Sequence, residues 1–218
     1  MKRTLLAALL AAALPARAEP CALELILAVD VSGSIDAREF SLQTHGLADA
    51  LEHGSLVAAV EGLEGGMLVT LTHWSGISRQ RQMIGWHHVQ GADGLARLAG
   101  DIREAGRAWR NFSTAIGEAL THAGRVSADA PVSCRRRVID VSGDGISNEG
   151  APPKAVSDRL AAEGFTVNAL VIRGAEPDPV SHFREEVIAG PGAFIEIAAS
   201  YEDYPEAILR KLLREIDQ

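Results

Sequence analysis

The chain has 218 residues, a formal charge of −8 and two cysteines. An acidic excess of this size offers no field to attract phosphate backbones or anionic lipid, which argues against nucleic acid or a membrane surface as partner. Beyond the first eighteen residues the remaining length suits one well-cored domain, and no repeat, low-complexity run or Pro/Ser linker divides it.

In chain order, residues 1–18 read as an export signal. Lys2 and Arg3 give the positive start, Leu5–Leu14 is an unbroken apolar run, and Ala16-Arg17-Ala18 is a small-residue cleavage site. The apolar run is shorter than the about 20 residues that span a bilayer. Loss of Lys2, Arg3 and Arg17 would lower the charge by three, from −8 to −11. Export would place Cys21 and Cys134 where disulfides persist. Glu19 and Pro20 stand where a lipoprotein carries small residues, so Cys21 is not expected to be an acylation site. The expected product, residues 19–218, is a periplasmic or secreted protein with no transmembrane segment.

Leu23–Val31 (LELILAVDV) is a near-continuous apolar strand of the kind buried on both faces of a parallel sheet. Ser32-Gly33-Ser34 forms a turn, and a helical stretch runs from Asp36 to about Val60. Gly66–Trp74 is a second strand, and Gln80–Trp86 a shorter, more polar third, suited to an edge. Asp93–Ala105 reads as helix. Ser113 or Thr114 is placed to cap a helix with Ile116, Ala119, Leu120 and Ala123 on one stripe. Arg137–Val141 is a short strand running into Ser142-Gly143-Asp144-Gly145, and Pro152-Pro153 starts a helix that ends near Gly164. Phe165–Ile172 and Ala193–Ala198 are strands. The last helix places Ile208, Leu209, Leu212, Leu213 and Ile216 on one face. This alternation predicts a doubly wound α/β domain over residues 19–218. Its mostly parallel sheet of about six strands carries helices on both faces.

In such sheets ligands bind beyond the carboxyl ends of the strands, near the point where strand order reverses. Three polar segments are expected there: Asp30-Val31-Ser32-Gly33-Ser34, Thr114 and Asp144. Residues two apart in an extended chain point to one side, so Asp30, Ser32 and Ser34 present a carboxylate and two hydroxyls together. With Thr114 and Asp144 the set has five oxygen donors. That chemistry suits Mg²⁺, with Mn²⁺ as the second choice, and the absence of His or thiolate argues against zinc. Two carboxylates neutralise a divalent ion at most, which leaves room for a carboxylate from a partner protein.

Asp30-x-Ser32-x-Ser34, the stretch Thr114-Ala115-Ile116-Gly117-Glu118-Ala119-Leu120, and Asp144-Gly145 resemble, in that order, the metal-ion-dependent adhesion site of von Willebrand factor A domains. RRRVIDVSGDGISNEG (Arg135–Gly150) and VIAGPGAF (Val187–Phe194) resemble a bacterial exported subfamily of unknown function. The resemblance covers nearly the whole chain after the signal. It implies a protein-binding module, not an enzyme, with Asp30, Ser32, Ser34, Thr114 and Asp144 as metal ligands and a partner donating Asp or Glu. It also implies neighbouring parallel strands after Cys21 and Cys134, hence a disulfide between them. The family's Thr-Asp-Gly is Gly143-Asp144-Gly145 here, which predicts a looser third loop.

Less specific features have plainer readings. His87-His88 on a strand face opposite ways, and His45 and His53 are eight residues apart on a predicted helix, so solvated or core-edge histidines are expected. Trp74 reads as packing, and Arg135–Arg137 as strand-start residues far from the metal, solvated or paired with acids. The rival function is an Mg²⁺-dependent phosphatase resembling the haloacid-dehalogenase group, with Asp30 as nucleophile. It needs an acid where Ser32 stands, and Ser147-Asn148 occupies the place of its later acid, with Glu149 one residue beyond.

Overall fold

The computed structural model describes residues 21–218, so the expected signal and cleavage site lie outside the described residues. The strands are β1 (Cys21–Asp30), β2 (Met67–Trp74), β3 (Gln80–Val89), β4 (Cys134–Gly143), β5 (Phe165–Ile172) and β6 (Ile195–Ala198). The helices are α1 (Ala37–Leu51), α2 (Gly54–Glu61), α3 (Ala92–Glu104), α4 (Ile116–Ala128), α5 (Pro153–Ala162), α6 (Pro179–His182) and α7 (Tyr204–Asp217). A π-helical turn, Phe183–Val187, continues α6.

The strands form one sheet in the order β3-β2-β1-β4-β5-β6, parallel except for the β2–β3 pair. This is the mostly parallel α/β sheet expected. Every residue of β1 is buried, because β1 lies at the centre with helices on both faces. Leu23, Leu25, Leu27 and Val29 point into one apolar layer with residues of α1, α2, α3 and α7. Ile26 and Ala28 point into the other, with residues of α4, α5 and the π turn. The alternation follows from the two-residue period of a strand. Successive strands build outward from β1 on one side and from β4 on the other, so strand order reverses between β1 and β4.

Three local expectations change. The stretch expected as one helix from Asp36 to Val60 is two, broken where the His53 ring accepts the Ser55 N–H and starts α2 at Gly54. Asp36 caps α1 in a reciprocal box with Glu39. The helix after Thr114 begins at Ile116 without a side-chain cap from Ser113 or Thr114; instead the Ile116 N–H reaches the Ser147 hydroxyl at 3.3 Å. Of the arginines at the start of β4, Arg135 is exposed as expected, and none of the three pairs with an acid among the described residues; each donates to a main-chain carbonyl. Arg135 donates to the Glu64 carbonyl, Arg136 to those of Glu215 and Ile216, and Arg137 to that of Glu163. Those carbonyls lie at or near helix ends, where acceptors lack helical partners.

The buried face of α7 includes Ile208 and Leu212, as its pattern predicts, but also Lys211 and Glu215, both 0% exposed. Lys211 Nζ lies 2.8 Å from an Asp140 oxygen of β4 and 2.5 Å from Glu215 Oε1. Asn168 of β5 donates to both Glu215 oxygens at 3.0 Å. Cys21 and Cys134 are register partners on β1 and β4 and are disulfide-bonded, with Cα atoms 4.3 Å apart. Among the described residues no helix is long and apolar enough to cross a membrane.

Candidate metal centre

β1 ends at Asp30 and β4 at Gly143, side by side on the strand ends where the order reverses. Asp30 is 0% exposed. Its Oδ1 accepts the Ser32 N–H at 2.7 Å, the local turn a short acidic side chain favours, while Oδ2 is buried with no hydrogen-bond partner. Burial first, and the Asp144 charge second, push the Asp30 carboxyl well above the usual carboxylate range; hydrogen bonds to Ser32 work against that rise.

The hydroxyls of Ser32 and Ser34 lie 3.3 Å apart, on one side of the turn. Ser34 Oγ donates to Asp144 Oδ1 at 2.8 Å across a sequence gap of 110 residues. The third segment reaches the same place through its backbone. The Gly33 N–H donates to the Phe112 carbonyl at 2.8 Å, and Thr114 exchanges bonds with Asn148, N–H to Oδ1 at 3.0 Å and carbonyl from N–H at 2.9 Å. Thr114 is thereby held between the loop after β1 and the loop after β4, and is 7% exposed. The three segments are thus bonded to one another, Ser34 and Asp144 through their side chains and Thr114 through its backbone. A cleft of about 300 Å³ opens over Ser34 and Asp144.

Gly117 shows why the Thr-bearing motif carries a glycine. A Cβ there would sit 2.1 Å from the Ala151 carbonyl oxygen, so the close seating of α4 on the loop after β4 excludes any side chain. Gly143 is closely packed. A Cβ at that position would meet Asp30 Oδ2 and Phe183 Cζ at 3.2 Å and Trp74 Cζ2 at 3.4 Å. The Trp74 ring and the π turn close the floor under Asp30, and Trp74 Nε1 is satisfied by the Ala28 carbonyl at 3.0 Å.

Two further residues shape the site and carry no motif. Tyr201 donates its hydroxyl to Asp144 Oδ2 at 3.0 Å; burial and the Asp144 and Asp30 charges keep that phenol protonated. Arg107 donates to the Val31 and Ser32 carbonyls at 3.0 and 2.7 Å, clamping the first loop from behind and adding a positive charge near Asp30. An Arg or Tyr in a loop is too common for its sequence context to single it out. Glu149, the acid nearest to the phosphatase pattern, accepts the Ile77 N–H at 2.6 Å.

The histidines gather at no common point. His87 pairs with Asp101 at 3.0 Å, His88 meets the Gly65 carbonyl, and His73 is buried against Phe40, with burial lowering its pKa to about 4. Among the described residues no group of three or more His, Cys, Asp or Glu is placed to hold a metal ion. The candidate centre differs in kind, with two carboxylates and hydroxyls for the rest.

A family model described as "Protein of unknown function (DUF1194)" matches residues 20–218. No curated protein matches the sequence. Among solved structures the chain is similar to proximal thread matrix protein 1 from the mussel byssus, with TM-score 0.67 and 17% identity over 91% of this chain and 49% of that one. It is also similar to a von Willebrand factor type A protein from Catenulispora acidiphila, with TM-score 0.56 and 18% identity over 90% of this chain and 43% of that one. The conserved hypothetical protein BatB from Bacteroides thetaiotaomicron gives TM-score 0.59 and 17% identity over 90% of this chain and 100% of that one. The chain spans about half the length of the mussel protein, of which another structure is described with a zinc occupied MIDAS motif. At these identities the likeness establishes the fold.

Proposed function

Since the chain belongs to the DUF1194 family and has the von Willebrand factor A fold, we propose that it is a protein-binding module that works through a divalent cation. The proposed ligands are Asp30, Ser32, Ser34, Thr114 and Asp144. The observation that carries this reading is Asp30 Oδ2, a fully buried carboxylate oxygen without a partner, close to a second carboxylate. Burying an unpaired charge costs several kcal/mol in real proteins, and a cation at the cluster would offset that cost.

The donors fit Mg²⁺ or Mn²⁺. The zinc in the mussel protein's motif shows that this fold admits a softer ion, so Zn²⁺ belongs in the titration. When bound, the cation would supply a positive coordination place for a carboxylate of the partner. The chain's own residues prepare that place: Ser32 N–H fixes Asp30, Tyr201 and Ser34 fix Asp144, and Arg107 holds the loop between them. Glu149 is bonded to the Ile77 N–H, and Ser32 stands where the phosphatase pattern needs its second acid, which favours the binding reading.

Calorimetric titration of Mg²⁺, Mn²⁺ and Zn²⁺ into the chain and into Asp30→Ala tests the assignment. Loss of binding with an unchanged circular dichroism spectrum is expected; unaltered Mg²⁺ affinity in the variant refutes it. We further propose that residues 1–18 are an export signal removed to leave a periplasmic or secreted domain, 19–218. Amino-terminal sequencing of the protein from the envelope fraction checks this.

A further inference from the structure

The loops beside the cluster on the β2 side carry a surface that the proposed metal site does not use. Residues 75–85 and 105–117 contain Arg79, Arg81, Arg107 and Arg110 and no Asp or Glu, in a chain with 29 acidic and 21 basic residues; among the described residues the one acid bonded to them from another loop, Glu149, is taken up by the Ile77 N–H. Arg107 is engaged with the first loop. None of the other three forms an ion pair with a carboxylate among the described residues.

Two of these arginines are stacked. The Arg79 guanidinium lies 4.5 Å from the centre of the Phe112 ring, and that of Arg81 lies 5.2 Å from Trp109. Stacking orders a long side chain in advance, so less rotamer freedom is lost when a partner binds. Ile77 and Phe112, 51% and 40% exposed, are two of the four large apolar residues most exposed to solvent among those described. Ser78 (φ 62°) and Asn111 (φ 61°), which precede Arg79 and Phe112, are the only non-glycine residues at positive φ among those described. Left-handed backbone is uncommon for a residue with a side chain, and here it occurs on both sides of one stack.

The surface is fixed to the site. The Ala115 N–H donates to the Ser75 carbonyl, Ser75 Oγ donates to the Ser113 carbonyl, and Gly33 N–H holds Phe112.

We propose that this arginine–aromatic ledge docks an acidic, partly apolar extended segment of the partner protein, next to the carboxylate that approaches the metal site. Acidic side chains of the segment meet Arg79, Arg81 and Arg110, and an apolar one lies on Ile77 and Phe112. The inference rests on the metal-site reading and adds the chemistry of the partner. Charge complementarity selects the occupant: in a chain of net charge −8, three arginines without a carboxylate partner favour an acidic segment at this place, which sets its orientation as well as its rate of encounter.

Short fluorescent peptides test it, each with one central Asp and with flanks of Glu and Leu, of Ser and Gly, or of Lys and Leu. Their affinities for the full chain are read by anisotropy in Mg²⁺ and in EDTA. In Mg²⁺ the acidic-flanked peptide should bind about tenfold tighter than the neutral one, the combined effect of three surface charge pairs. The gap should close at high salt and in Arg81→Glu/Arg110→Glu, and persist in Arg81→Lys/Arg110→Lys, which shows that charge and not a folding defect is being read. EDTA-sensitive binding with equal affinity for all flanks overturns the ledge and leaves the metal-site reading standing. Absence of any EDTA-sensitive binding overturns the metal-site reading and the ledge with it. Binding to phosphatidylglycerol vesicles as tight as to the acidic peptide overturns the peptide in favour of a lipid surface.

Discussion

At Asp30 one carboxylate oxygen accepts the Ser32 N–H while the other is buried without a partner, and its carboxyl is raised well above the ordinary range. A raised folded-state pKa means that the folded chain holds a proton which the unfolded chain has released. This share of the stability is therefore present below about pH 4 and is lost as pH rises through the folded value. Without metal, Asp30→Asn should be more stable than the parent at neutral pH, on the order of 1–3 kcal/mol, and should bind no Mg²⁺. Urea melts in EDTA, repeated across pH, measure it. Added Mg²⁺ should stabilise the parent and not the variant. Tyr201 acts one step further out. Tyr201→Phe removes the donor to Asp144 Oδ2 and should weaken divalent binding about 10–100-fold at an unchanged fold, read by calorimetry.

At the scale of elements, α7 is tied to the sheet by charge as well as by apolar packing. Lys211 is buried between Asp140 and Glu215, and Asn168 and Arg136 hold the Glu215 side chain and carbonyl. Burial raises the Asp140 carboxyl to about 6, while the Lys211 charge draws it down. Removing the one cation leaves two carboxylates without compensation. Lys211→Met should destabilise the protein by about 3–5 kcal/mol in denaturant melts, although it makes the helix face more apolar. The apolar spacing of Ile208 and Leu212 was readable in α7; the depth of Lys211 was not, because a lysine in a helix is ordinarily at the surface.

For the whole molecule, the disulfide joins the amino ends of β1 and β4 across 113 residues, at the end of the sheet away from the candidate site. In the chain-entropy model a closed loop of this length stabilises by roughly 4–5 kcal/mol, and measured values often fall lower. Cys21→Ser/Cys134→Ser should therefore lose about 2–5 kcal/mol in guanidinium melts, while Mg²⁺ affinity at a temperature where the variant is folded should stay within about twofold.

The apolar run of β1, the alternation of strands and helices, and the DxSxS turn were legible in the sequence because each depends on neighbours a few residues apart. The fold class and the three converging segments followed from them. What only the tertiary structure decided are contacts between residues far apart in the chain. They include Tyr201 on Asp144, Arg107 behind Ser32, the seat of Gly117 on Ala151, the tight packing of Gly143, and the arginine–aromatic ledge. A local pattern states which side chains face the same way; it does not state what the fold brings against them.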